Sequence, residues 1–187
     1  HLEDQVMPKR CGHLDGKSLI GVEAMQRKIA AACEARQDPD FMIIARCDAR
    51  AVAGFAESVE RGRRYLEAGA DAIFAEAMQS RDEFARYADE VGGALLANMT
   101  EFGKSPHLTV DEFAELGYRM VIFPMSAFRA MMKAVEGLFC ELREKGTLAG
   151  ALDRMQTRED LYQLLDYDAY TQLDADLAAR FPERDSP

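Results

Sequence analysis

Four short apolar runs recur along the chain, Phe41–Ala45, Ala72–Ala75, Ala94–Ala97 and Met120–Phe123. Uninterrupted runs of this length read as strands buried on both faces, because a strand with one wet face alternates apolar and polar residues. Between them lie amphipathic segments at Ala53–Glu67, Arg81–Val91 and Val110–Leu116, each followed by a glycine stop at Gly69, Gly92-Gly93 or Gly117. A helical pattern of Leu19, Val22, Met25, Ile29, Ala32 and Cys33 precedes the first run. Parallel strands need a long crossover, usually a helix, so the alternation predicts a parallel α/β arrangement.

The runs lead into residues able to do chemistry: Arg46 with Asp48, Glu76, Asn98 with Thr100, and Ser126 just past the last. Glu3-Asp4 closes what reads as one more strand at the start. Chemistry collects at the carboxyl ends of parallel strands both in barrels and in open doubly wound sheets. No GxGxxG or Walker pattern is present, so the expected fold is a (β/α)8 TIM-type barrel. A complete barrel takes roughly 250 residues. With five strand ends in 187 residues, the barrel is expected to lack its first strands, about three of the eight. Beyond Ser126 a long helix is expected to about Lys145, a break at Gly146, shorter helical pieces to Arg180 and a frayed tail from Pro182 to Pro187. The predicted division is residues 1–145 as the C-terminal part of the barrel and 146–187 as a helical extension.

Acidic residues outnumber basic ones 33 to 23, for a formal charge of -10. That balance argues against a nucleic-acid partner, which needs clustered Lys and Arg, but leaves room for a small anion where cations gather locally. No apolar run approaches the roughly 18–20 residues of a membrane span, and the polar start is not a signal peptide, so a cytoplasmic chain is expected. The four cysteines form no CxxC pair, which suggests neither a structural zinc site nor a disulfide scaffold. Cys33 and Cys140 read as buried packing residues.

The most informative stretch is Lys9-Arg10-Cys11-Gly12-His13, directly after a strand end. Two cations beside a thiol, and a glycine that lets a ligand approach the backbone, make Cys11 a candidate acid, base or nucleophile. The same residues also suit an exposed basic loop with an incidental thiol. Zinc binding by Cys11 and His13 is the weaker reading, since no second ligand pair lies nearby.

Seven segments in one order carry a family resemblance: Glu3-Asp4-Gln5, Lys9–His13, Ala45–Ala49, Phe74–Ala77, Leu96–Gly103, Pro124–Ala130 and Met155–Arg158. In these the chain resembles the isocitrate lyase and phosphoenolpyruvate mutase superfamily, and within it most closely the methylisocitrate lyases. The resemblance implies a Mg2+-dependent carbon–carbon lyase, with Mn2+ as an alternative metal, cleaving a tricarboxylate such as 2-methylisocitrate to pyruvate and succinate. It makes Cys11 the acid that protonates the carbanion left by cleavage, and Glu3 a carboxylate in the metal's shell, through water. It also implies substrate contacts from Cys11, Gly12, Arg46, Glu76, Asn98, Met99, Thr100, Arg129 and Arg158. These types suit a multiply anionic substrate, because guanidinium groups pair carboxylates bidentately and amides or hydroxyls orient their oxygens. In the superfamily the last barrel helix is exchanged within a homotetramer, so the apolar face from Phe128 to Leu142 is an expected interface. Leu14-Asp15-Gly16 departs from the methylisocitrate lyase pattern. That keeps 2,3-dimethylmalate lyase, oxaloacetate hydrolase and isocitrate lyase activities as alternatives, together with a non-catalytic fragment.

Overall fold

The structure is a computed structural model and describes residues 1–181. The strands β1 (Leu2–Glu3), β2 (Ile44–Cys47), β3 (Ala72–Ala75), β4 (Ala94–Asn98) and β5 (Met120–Ile122) form one sheet in the order β1-β2-β3-β4-β5. Every neighbouring pair is parallel. The crossovers carry α1 (Val22–Ala35), α2 (Ala49–Ala53), α3 (Phe55–Glu67), α4 (Arg81–Val91) and α5 (Val110–Glu115). The parallel α/β class read from the sequence is therefore present.

Register explains the two faces of the sheet. Ala45, Ile73 and Leu95 are direct partners and share one core with Met25 and Ile29 of α1, Val59 and Tyr65 of α3, Phe84 and Tyr87 of α4 and Phe113 of α5. Side chains alternate along a strand, so the next row, Glu3, Arg46, Phe74, Leu96 and Met120, projects to the opposite face. Local signals fix the helices behind the core. Ser80 caps α4 by accepting from the Glu83 main-chain N–H, and Thr109 with Glu112 forms a reciprocal capping box on α5. Phe84, Phe113 and Tyr118 then meet edge to face at centroid distances of 5.0–5.6 Å.

Two elements differ from the sequence reading. The first apolar run was placed at Phe41–Ala45, yet β2 covers Ile44–Cys47, and Phe41 and Met42 are 64% and 46% exposed. Pairing decides the boundary: β3 begins at Ala72 opposite Ile44, and Phe74 and Ala75 hold Arg46 and Cys47 in the ladder. Asp71 closes the entry, its carboxylate accepting from the Ile43 N–H at 2.7 Å. The helix expected at Ala53–Glu67 is present as α3, Phe55–Glu67, but a short helix not expected from the sequence, α2, precedes it, and Gly54 separates the two at a φ of 93°, a conformation few other residues tolerate.

The chain divides into two compact units, one from His1 to Arg129 and a second from Ala130 onward, so the division falls inside α6 (Ser126–Lys145). The second unit continues through a 3-10 turn (Ala149–Arg154), α7 (Arg158–Leu164) and α8 (Tyr167–Arg180). Neither α6, α7 nor α8 has a buried residue. Cys33 is half-buried and packs against the core, in line with the packing role expected of it, whereas Cys140 is exposed, because on α6 the apolar side chains lack a covering layer among the described residues. No helix among the described residues is long and apolar enough to cross a membrane. The tail expected to fray, Pro182–Pro187, lies outside the described residues.

Candidate active site

The carboxyl ends of β1 to β4 bring Glu3, Arg46, Glu76 and Asn98 together. Glu3 and Arg46 are ladder partners, and Arg46 lies over the Phe74 ring at 4.9 Å. Asp48, with a fully buried side chain, accepts from Arg46 Nε at 2.9 Å and from Nη2 at 3.1 Å. Glu76 Oε2 stands 3.3 Å from Arg46 Nη2, and Glu3 Oε2 stands 3.5 Å from Nε. Burial alone would push the arginine pKa down, but Asp48, Glu76 and Glu3 outweigh it and raise it, so the cation is permanent.

Glu76 is 1% exposed. Burial pushes its carboxyl up, yet His13, Arg46 and Asn98 together hold it below the usual carboxylate range. Asn98 Nδ2 donates to Glu76 Oε2 at 3.3 Å. The His13 ring accepts the Lys104 main-chain N–H at Nδ1, 2.9 Å away, which leaves the proton on Nε2. Nε2 approaches Glu76 Oε1 to 2.9 Å, but its N–H is not aimed along that line, so the contact falls short of a hydrogen bond. His13 Nε2 and Asn98 Oδ1 are thus buried with no hydrogen-bond partner among the described residues.

The loop after β1 covers this cluster. Gln5 secures it in both directions, donating to the Arg10 carbonyl and accepting the Arg10 N–H, each at 2.9 Å. A Cβ on Gly12 would lie 2.3 Å from Glu76 Cγ and 2.6 Å from Arg46 Nη2, so only glycine allows the backbone to come this close. Cys11 is exposed, and its carbonyl accepts from the Leu14 N–H at 3.0 Å. Beneath the cluster, fully buried Asp4 accepts from the Asp48 N–H, Tyr65 Oη and Arg61 Nη1 at 2.9, 2.8 and 3.2 Å. Burial raises the Asp4 carboxyl despite those partners.

The structure therefore gathers Glu3, Gly12, Arg46, Glu76 and Asn98, with Met99 buried and Thr100 half-buried just beyond β4. Arg129 is engaged elsewhere: it donates to the Glu101 carbonyl, pairs with the Glu101 carboxylate at 3.3 Å and lies over Phe102. Arg158 opens α7, in the second unit. Sequence reasoning assigned no roles to Asp4, Lys17, Arg61 or Tyr65, and weighed His13 only as the weaker partner of Cys11 in a zinc site. Arg61 and Tyr65 are spaced four apart and read as an ordinary helix face; His13 stood inside the Cys11 motif and was the nearest thing to a signal.

Glu3 offers a hard oxygen donor, but Lys9 Nζ sits 3.0 Å from it, Asp4 is consumed by its own partners, and Glu76 by Arg46, His13 and Asn98. No three His, Cys, Asp or Glu side chains converge to hold an ion among the described residues. The residues present do not fit a complete Mg2+ site, and Glu3 supplies one donor of such a set.

Residues 1–143 match the family model described as phosphoenolpyruvate phosphomutase. The chain is 52% identical over 182 residues to the 2-methylisocitrate lyase of Aeropyrum pernix, covering 97% of this chain and 58% of that protein. Against the 2-methylisocitrate lyase of Escherichia coli it is 44% identical over 180 residues, covering 96% and 61%. Among solved structures, 2,3-dimethylmalate lyase superposes with a TM-score of 0.87 at 36% identity, covering 100% of this chain and 63% of that one. Phosphonopyruvate hydrolase in complex with oxalate and Mg2+ superposes with a TM-score of 0.78 at 30% identity, covering 97% and 62%. The chain spans about three fifths of the length of the curated relatives it matches.

Proposed function

Because the chain belongs to the phosphoenolpyruvate phosphomutase family, we propose that it serves the cleavage of 2-methylisocitrate to pyruvate and succinate. The observation that carries this reading is the buried Arg46–Glu76–Asn98 group beneath Gly12, in a chain 52% identical to a 2-methylisocitrate lyase. Asp48, Glu3 and Glu76 occupy Nε and Nη2 of Arg46. That leaves Nη1, which makes no hydrogen bond among the described residues, for a substrate carboxylate. His13 Nε2 and Asn98 Oδ1 supply one further donor and one acceptor, and Met99, Thr100 and Arg129 complete the contacts from this unit on this reading.

In the cleavage the substrate hydroxyl gives up its proton to solvent water and becomes the pyruvate carbonyl, and solvent later returns a proton to the Cys11 thiolate. The electron pair of the broken carbon–carbon bond moves to the carbon beside a succinate carboxylate. That carbon takes up the proton of the Cys11 thiol, which acts as general acid. The metal this reading calls for is Mg2+, with Mn2+ as the alternative; Glu3 would supply one carboxylate to it, through water, and the ion would stabilise negative charge that develops on substrate oxygens. On the same reading residues 1–145 are the C-terminal part of a (β/α)8 barrel and 146–187 a helical extension of a cytoplasmic enzyme. The exposed Met131, Met132 and Phe139 of α6 suit burial in a homotetramer.

A coupled pyruvate-release assay with 2-methylisocitrate and Mg2+ tests the reading. Cys11→Ser is expected to lower kcat by about 100-fold or more with KM nearly unchanged, since the acid acts in the transition state. A wild-type kcat in that variant overturns the acid assignment, and absence of pyruvate release from the wild type counts against the lyase reading. The superposition on 2,3-dimethylmalate lyase favours a second reading, which pyruvate and propionate from 2,3-dimethylmalate would establish.

A further inference from the structure

Lys17 is a buried cation, 9% exposed, with no carboxylate in ion-pair range among the described residues. Its ammonium donates instead to two main-chain carbonyls, those of Gly12 and Leu14, the latter at 2.8 Å. Both carbonyls belong to the turn that Leu14 closes by donating to the Cys11 carbonyl. An ammonium taken out of water is strongly unfavourable unless something compensates it, and here its hydrogen bonds all go to the turn that follows Cys11, with the Asp15 carboxylate adding attraction from beyond ion-pair range.

A trans peptide holds its C=O and N–H on opposite sides. With the Gly12 carbonyl turned to Lys17, the His13 N–H of the same peptide is directed away from it. The main-chain N–H groups of Gly12 and His13 make no hydrogen bond among the described residues, and the Gly12 Cα is the atom pressed against Glu76 and Arg46. A cation on the carbonyl also polarises the peptide and strengthens its N–H as a donor.

We propose that Lys17 is a positioning residue: it draws the carbonyl edge of the Cys11–Leu14 turn toward itself and so presents the N–H edge, with Cys11 beside it, to a carboxylate of the substrate. This rests on the reading of Cys11 as the acid, and the first part of its test does not depend on turnover. Lys17→Met keeps the aliphatic stem and removes the donors. Hydrogen exchange of this chain is expected to show the Leu14 amide exchanging at least about tenfold faster in Lys17→Met, with Ile73 and Leu95 in the sheet unchanged. A cavity of about 180 Å³ lined by Leu14, Asp15, Gly16, Lys17, Ala51 and Val52 adjoins the side chain, so in Lys17→Ala added ethylammonium is expected to restore much of the protection.

Unchanged exchange at Leu14, a rise equally large at Ile73 and Leu95, or no effect of ethylammonium overturns the proposal. Where the wild type turns over 2-methylisocitrate, Lys17→Met should lower kcat at least about tenfold while KM stays within about threefold. A wild-type kcat there overturns it too. An inactive wild type bears on the proposed reaction alone, and the exchange result still decides for or against Lys17.

Discussion

Asp48→Asn probes what orients Arg46. Asp48 and Arg46 are 1% and 8% exposed, and the pair makes two hydrogen bonds, at 2.9 and 3.1 Å. Breaking a buried ion pair costs about 3–5 kcal/mol when the remaining charge is left alone. Arg46 is not left alone, because Glu76 at 3.3 Å and Glu3 at 3.5 Å still face it, and the amide oxygen at position 48 keeps one acceptor. The net loss is then close to one hydrogen bond to a charged group, about 2 kcal/mol. In urea, with a slope of about 2 kcal/mol per molar, the midpoint should fall by about 1 M. The thermal midpoint should drop by about 4–8 °C for a chain of this size. Lys133→Ala, which removes a fully exposed pair with Glu136, is the reference and should leave the midpoint where it is. A double-mutant cycle with Arg46→Met should return most of the loss as coupling. A midpoint shift below about 0.2 M at unchanged slope would refute the reasoning and assign Arg46's orientation to Glu76 and Glu3.

Gly12→Ala places a methyl group 2.3 Å from Glu76 Cγ, so the loop has to retreat by about 1 Å to reach an ordinary carbon–carbon contact. The expected result is a fall of about 100-fold in kcat/KM, measured by pyruvate release, with a stability loss of about 1–3 kcal/mol in urea. The Glu76 carboxyl titrates below its ordinary range in the fold, so its stabilising contribution is present above the unfolded carboxyl pKa of about 4.3 and is lost as pH falls through the lowered value. Unfolding free energies between pH 3 and 7 should accordingly show a shallower acid slope in Glu76→Gln than in the wild type, and parallel slopes would remove the assignment.

Legibility followed the physics of each signal. Strand β3 and helix α4 were legible to the residue, because a buried run between a glycine and an acid, and a serine cap before an amphipathic segment, are local signals. The start of β2 was not, since it depends on where β3 begins and on Asp71, a partner 28 positions away. At the site, the strand-end rule picked out Arg46, Glu76 and Asn98, and the Cys11 motif drew attention to Gly12. It could not show that Asp4 turns to the helix side to hold the Asp48 main chain, or that a lysine five residues after Gly12 folds back onto its carbonyl. Those arrangements are set by the path of the chain in space, and the residues carrying them are of ordinary type and spacing.

The strictly sequential order of the sheet also governs how a nascent chain can assemble it. No strand lies between two others that precede it in sequence, so none has to wedge into a ladder already formed. During synthesis from the amino end, each of β2 to β5 leaves the ribosome after the neighbour that precedes it in the sheet, so these strands add one by one at a single advancing edge. Arg46, Glu76 and Asn98 are then delivered in turn, each onto the edge prepared by the one before it.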